Sequence, residues 1–189
     1  MGKLNSLIKF FLITLLIITT YYLINKFQIY FLKGLKAQSS ENLLASFVYL
    51  PHGIRIMVVY IFGSYSFIGL LLAHIIAGVN GINDINFFIL TAALFSTISP
   101  FAAVYLVFNK FKIQLKEIKL KNILVVAIIS AILNSFFSVS TRLLFDFYQT
   151  KEVFSFQFFQ FFIGDILGVL FLFLFIILFI NLKKIIFKL

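Results

Sequence analysis

Apolar runs of bilayer-spanning length recur along most of this 189-residue chain. A transmembrane helix needs about 20 predominantly apolar residues. The runs that meet this requirement cover residues 4–24, 54–78, 87–108, 123–145 and 156–180. The chain is 62% hydrophobic and only 12% charged, which is too little charge to cover a water-exposed surface. We therefore expect an all-α, polytopic transmembrane helix bundle of five or six spans, forming a single domain over residues 1–189.

Two parts of the chain leave the number of spans open. The second run carries Gly63 and Ser64 in its interior, so it forms either one kinked span or two shorter ones. Residues 25–52 are too polar to form a clear transmembrane span, because they contain Lys26, Lys33, Lys36 and Glu41. We expect this stretch to form an interfacial or re-entrant segment that ends at Pro51, before the second span.

Basic residues are concentrated in residues 109–122 and in the tail, whereas the loops at 79–86 and 146–155 carry almost none. Because membrane proteins keep lysine and arginine on the cytoplasmic side, we expect the basic loop and the C-terminus to be cytoplasmic. The net charge of +10 is explained by the same rule and does not indicate nucleic acid binding. An odd number of spans would place the N-terminus outside, and an even number would place it inside.

Asp165 is the most informative polar residue, since it lies nine residues into the last run. That is roughly 13 Å from the outer edge, near the midplane. An ionised residue there costs about 2.5–3.5 kcal/mol on insertion scales, so such residues usually face the protein interior. Gly164 and Gly168 flank Asp165 and, like Gly69 and Ala73, are predicted to allow close helix packing.

A polar stripe along the preceding run is predicted to meet Asp165. Ser130, Asn134, Ser138 and Thr141 are spaced four, four and three residues apart, which places them on one helix face. If the two runs form an antiparallel pair, Asn134 lies at the depth of Asp165 and is its expected partner. Arg142 would then lie closer to the outer surface.

Three further features complete the candidate site. His52 and Arg55 follow Pro51 and are expected at the mouth of the bundle. The predicted ligand-binding residues are His52, Arg55, Asn134, Ser138, Arg142 and Asp165. The two arginines can alternatively extend to lipid headgroups, and His74 is either a structural residue or a ligand contact.

Pro100 interrupts the third run, and we expect Ser96, four residues earlier, to help satisfy the carbonyl that it frees.

The order of two motifs resembles the MASE-type membrane-associated sensor domains of bacteria. Leu50-Pro51-His52-Gly53-Ile54-Arg55 is similar to a motif in the first half of that family, and Gly164-Asp165-Ile166-Leu167-Gly168 to one in its last part. The resemblance covers residues 45–180. It implies a helix bundle in the bacterial inner (plasma) membrane that detects a signal in or near the membrane.

Several functions are consistent with these residues. The first is a sensory or ligand-binding module that signals through a separate protein partner, and the alternative is the substrate-binding membrane subunit of a vitamin-type transporter. An intramembrane enzyme or metal site, built from His52, His74 and Asp165, and a purely structural role are also open. Since no catalytic motif or cysteine is present, we expect no enzyme, cofactor or metal. The expected partners are the lipid bilayer, an unknown small molecule, and a signalling or energising protein.

Overall fold

The computed structural model describes residues 2–36, 48–79, 84–110, 120–145 and 151–186, which are helical almost throughout. The helices are α1 (Gly2–Lys36), α2 (Leu50–Phe62), α3 (Ser66–Gly78), α4 (Phe87–Tyr105), α5 (Leu120–Leu144) and α6 (Lys151–Ile186). No strand occurs within these ranges. The predicted all-α fold is confirmed.

Five segments are long and apolar enough to cross a membrane. They are Ser6–Tyr30, Leu50–Gly78, Phe87–Asn109, Lys121–Leu144 and Phe154–Leu178. The chain is therefore a multi-pass membrane protein, as the apolar runs predict.

The second of these segments is a hairpin of two half-length helices. Gly63 has a φ of 55°, which suits glycine, and it opens a 3₁₀ turn, Gly63–Tyr65, between α2 and α3. The Tyr21 hydroxyl oxygen lies 3.4 Å from that of Tyr49 and 3.0 Å from His74 Nδ1. One straight helix would hold residues 49 and 74 about 37 Å apart. The two helices therefore run antiparallel, and of the two alternatives the pair of shorter helices is present.

Ring contacts between neighbouring helices give the relative directions of α1, α3, α4 and α5. Helices α3 and α4 are antiparallel, and so are α4 and α5, whereas α1 runs parallel to α3. The ring pairs are Phe67–Phe101, Phe95–Phe137, Phe88–Phe145, Phe10–Tyr65 and Tyr21–His74. The contacts of Asn134 with Asp165 and of Arg142 with Phe161 make α6 antiparallel to α5. The N-terminal end of α1, the turn after α2 and the C-terminal end of α6 thus lie on the same side as the C-terminal end of α4 and the N-terminal end of α5, the two helix ends between which the basic residues occur in the sequence. This is the even-numbered arrangement that the sequence left open.

Two boundaries differ from the sequence prediction. Helix α1 continues to Lys36, beyond the predicted end at residue 24, because no proline interrupts residues 25–36. Helix α2 begins at Leu50, four residues before the predicted start, with Pro51 in its first turn, where the missing N–H is not needed. The rest of the predicted interfacial segment, residues 37–47, lies outside the described residues.

The start of α2 lies against α6, at the predicted glycine pair. The Tyr49 N–H donates to the Gly164 carbonyl at 2.8 Å. A Cβ at Gly168 would collide with the Tyr49 carbonyl, so only glycine allows this approach. Gln28 on α1 donates from Nε2 to the Val48 carbonyl and accepts the Leu50 N–H on Oε1, both at 3.0 Å. These bonds satisfy backbone groups that find no water inside a bilayer.

Candidate functional site

Asn134 joins a buried carboxylate to a buried guanidinium at the centre of the bundle. Its Nδ2 donates to Asp165 Oδ2 at 2.7 Å, which confirms the predicted contact between these residues. Its Oδ1 accepts from Arg55 Nη1 at 3.2 Å. A single amide therefore bridges opposite charges on α6 and α2, and uses both its donor and its acceptor in doing so.

Arg55 also satisfies the helix defect that Pro100 creates in α4. Proline has no N–H, so the Ser96 carbonyl, four residues earlier, loses its helical donor. Arg55 Nη1 donates to that carbonyl at 3.1 Å. From the sequence, Ser96 is expected to help satisfy the freed carbonyl, but that carbonyl belongs to Ser96 itself. Its donor is the Arg55 guanidinium on α2.

His52 lies beside Asp165, completely buried, with its Nδ1 3.6 Å from Asp165 Oδ2. Among the residues that the structure describes, neither ring nitrogen of His52 has a hydrogen-bond partner, and neither does Asp165 Oδ1. The predicted location of His52 and Arg55 at the mouth of the bundle is wrong, since both are in the interior. The reason is that α2 begins against Gly164 and Gly168, so its first turns lie at the depth of Asp165.

A cavity of about 220 Å³ adjoins this network. Four of the predicted ligand-binding residues line it: Arg55, Asn134, Ser138 and Arg142. His52 and Asp165 are not among its lining residues. Asp165 is linked to the cavity wall through its hydrogen bond with Asn134, which does line it.

The cavity occupies the half of the bundle that contains the C-terminal ends of α3 and α5 and the N-terminal end of α4, since Gly78, Arg142 and Phe88 line it. Gly78, Phe88, Ile89, Ala92 and Phe161 complete its apolar lining. The other half of the bundle is filled by a buried apolar cluster that includes Ile56, Val107, Val126 and Val169. Within the described residues, the cavity is thus displaced towards one side of the membrane.

Arg142 lies at the outer part of the cavity, as the antiparallel pairing predicts. Its Nη1 is 3.5 Å from Gln157 Oε1, and its guanidinium carbon lies 4.7 Å from the Phe161 ring centroid. The side chain is only partly buried. Arg142 therefore adds a second positive charge to the cavity wall without being enclosed like Arg55.

A group of tyrosine and histidine side chains was not predicted. Tyr49 and His74 line the cavity, and both contact the Tyr21 hydroxyl. The Arg55 guanidinium carbon lies 5.4 Å from the Tyr49 ring centroid. One sequence signal could have found this group: Tyr21 and Gln28 are polar and seven residues apart, so they share one face of α1, and the structure shows that both are buried.

Neither similarity to known proteins nor a metal-binding cluster indicates what this protein does. No family model, no curated protein and no solved structure matches this chain. No group of three His, Cys, Asp or Glu residues that could hold a metal ion is found in the described part of the chain. The cavity is therefore the feature of the described structure that bears most directly on function.

Proposed function

We propose that this protein is an integral membrane sensory module that binds a small anionic molecule in the cavity and signals through a separate protein partner. The observation that carries the proposal is a cavity of about 220 Å³ whose wall contains Arg55, a buried arginine. Concave sites with an apolar lining and a few convergent polar groups are typical of small-molecule binding.

The size and charge of the cavity suggest the class of ligand. An engineered cavity of about 150 Å³ binds benzene, so this larger one accommodates a ring or short chain with a polar group. Arg55 and Arg142 favour a negative charge on that group, because guanidinium groups bind carboxylate and phosphate. Phe88 and Phe161 would contact its apolar part.

Binding would be communicated through the α2–α3 hairpin. Arg55 lies on α2, His74 on α3 and Asn134 on α5, so a ligand that contacts all three links three separate helices. A signal requires that the ligand bind one helix packing more tightly than another. The hairpin supports this role because α2 and α3 are half-length helices joined at Gly63.

We place the chain in the bacterial inner membrane with its basic loop and C-terminus in the cytoplasm, following the charge distribution. The cavity would then lie in the outer half of the bilayer and take its ligand from outside. The MASE-type resemblance supports sensing, and the two motifs that carry it lie against each other at His52 and Asp165.

The hairpin also supports the alternative, a substrate-binding subunit of a vitamin-type transporter. Transporters commonly build their sites at the midplane from broken helices whose N-termini face the substrate. Here α2 begins at Leu50, beside the cavity residue Tyr49. Partners co-purified from native membranes distinguish the two functions: an ATPase would indicate transport, and a kinase or nucleotide cyclase would indicate sensing.

Thermal unfolding in detergent tests the binding site directly. The probes are benzoate, phenylphosphonate and hexanoate, each compared with a neutral amide or alcohol of similar size. A ligand at 100 times its Kd stabilises the folded state by about 2.7 kcal/mol. We expect at least one anion to raise the Tm of the wild type, and Arg142→Gln to lose most of that increase. If no anion stabilises the wild type more than this variant, the proposal is wrong.

A further inference from the structure

We propose that the His52–Asp165 pair takes up one proton when an anion occupies the cavity, so that the anion and the proton bind together. This inference rests on the proposed function and extends it to a second ligand. The two binding events are linked because both depend on the charge of Arg55.

Among the described residues, Asp165 is the one buried carboxylate that balances Arg55, and Asn134 bridges the two. Within the described ranges, no carboxylate forms a direct ion pair with Arg55. The guanidinium is therefore able to accept a second anion at the cavity wall. When it does so, that anion becomes its nearest counterion.

Asp165 would then be a buried negative charge whose counterion has been taken by the ligand. An uncompensated charge in a low-dielectric interior is very unfavourable, and protonation removes it. The structure offers two places for the proton: Asp165 Oδ1 has no partner in the described part of the chain, and His52 Nδ1 is 3.6 Å from Oδ2. Because the groups are so close, the proton belongs to the pair and not to one residue.

Few other ionisable groups face Asp165. The segment that leads into α2 contributes Tyr49, α2 contributes His52 and Arg55, and α1 contributes Tyr21. Helix α5 presents the neutral Asn134, and the nearest ionisable residue of α3 is His74, which bonds to Tyr21. Ordinary phenols stay neutral at working pH. The pair is thus the group whose charge can respond to the ligand.

Calorimetric titration with benzoate at several pH values tests the linkage. The range of about pH 6 to 9 lies above the titration of ordinary carboxylic acids and below that of phenols. Uptake of one proton predicts that benzoate affinity falls about tenfold per pH unit above the titration of the pair. A pH-indicator dye in weak buffer should record about one proton taken up per benzoate bound.

Asp165→Asn is the decisive variant, because it carries the neutral form permanently. We expect it to bind benzoate more tightly than the wild type at pH 9, with affinity nearly independent of pH. A gain in affinity cannot arise from misfolding. Asp84→Asn is the matched control, since Asp84 is exposed, and it should leave the affinity and its pH dependence unchanged.

The outcomes separate the two proposals. If benzoate or another probe anion binds with no pH dependence, or if Asp165→Asn keeps the wild-type slope, the proton inference is overturned and the binding site stands. If no probe anion binds, the proposed function fails, and this inference fails with it. Infrared difference spectra give a second measurement: on binding in the wild type, either a protonated carboxyl band or an imidazolium band should appear, and neither band should appear in Asp165→Asn.

Discussion

Arg55 and Arg142 both line the cavity, but their surroundings differ, and so should the cost of removing them. Arg55→Leu would leave the Ser96 carbonyl and Asn134 Oδ1 without their donor, and Asp165 without its bridged cation. Removing one of two buried opposite charges leaves the other uncompensated, which costs about 3–5 kcal/mol, and Asp165 would be that charge although Asn134 lies between it and Arg55. Arg142 is partly exposed, so we expect Arg142→Leu to cost about 1 kcal/mol. Unfolding in mixed micelles measures both, and equal losses would contradict the bridged network.

The Asn134–Asp165 contact could be predicted from sequence because two adjacent runs joined by a short loop mirror each other in depth. The position of Arg55 could not be predicted in the same way. Its partners lie on α4 and α5, 41 and 79 residues away, and nothing local specifies that contact. Pro100 was the available clue, because a freed carbonyl within a bilayer requires a donor from elsewhere.

At the scale of elements, the contact between α6 and the start of α2 depends on Gly168. In Gly168→Ala the new Cβ would collide with the Tyr49 backbone, so α2 must move away from α6. Overpacking of this kind costs about 1–3 kcal/mol. Gly78→Ala is the matched control, since its Cβ would meet only Ile89 at 3.8 Å. Thermal unfolding of the two variants should show a clear loss for Gly168→Ala alone, and equal stability would contradict this packing.

The sequence predicts where residues 50–78 are interrupted, but it does not show whether the interruption is a kink or a reversal of direction. Both halves of residues 50–78 are predominantly apolar and carry only a few polar residues, so periodicity gives no sign of a reversal. Gly63 marks a break that either a kink or a turn would use. What decides between them is tertiary: Ile17 on α1 packs against Gly69, and Tyr21 contacts both ends of the hairpin. The start of α2 was also not predicted, because the Leu50 N–H is capped by Gln28 of α1, which is a tertiary contact.

For the whole molecule, loop charges predict which end is cytoplasmic, but the side of the N-terminus follows from the number of reversals. The reversal at residues 63–65 changes that number by one. It also concentrates polar groups on one side of the membrane, because α2 and α3 each extend only about 20 Å. The cavity is therefore a property of the complete bundle, with walls from α3, α4, α5 and α6 and from the start of α2.

Labelling of single cysteines tests this arrangement cleanly, because the chain has no cysteine of its own. A membrane-impermeant maleimide should reach Ser64→Cys and Asn109→Cys from the same side, the cytoplasmic one, and Asp84→Cys from the other. The reason is that α2 and α3 reverse at residues 63–65, which places the turn towards the C-terminal end of α4, where Asn109 lies. One straight helix from residue 50 to 78 would bury position 64 in the lipid, where neither side could label it. Labelling of position 64 from the side of position 84 would be equally incompatible with the antiparallel hairpin, and with a cavity that joins Arg55 to His74.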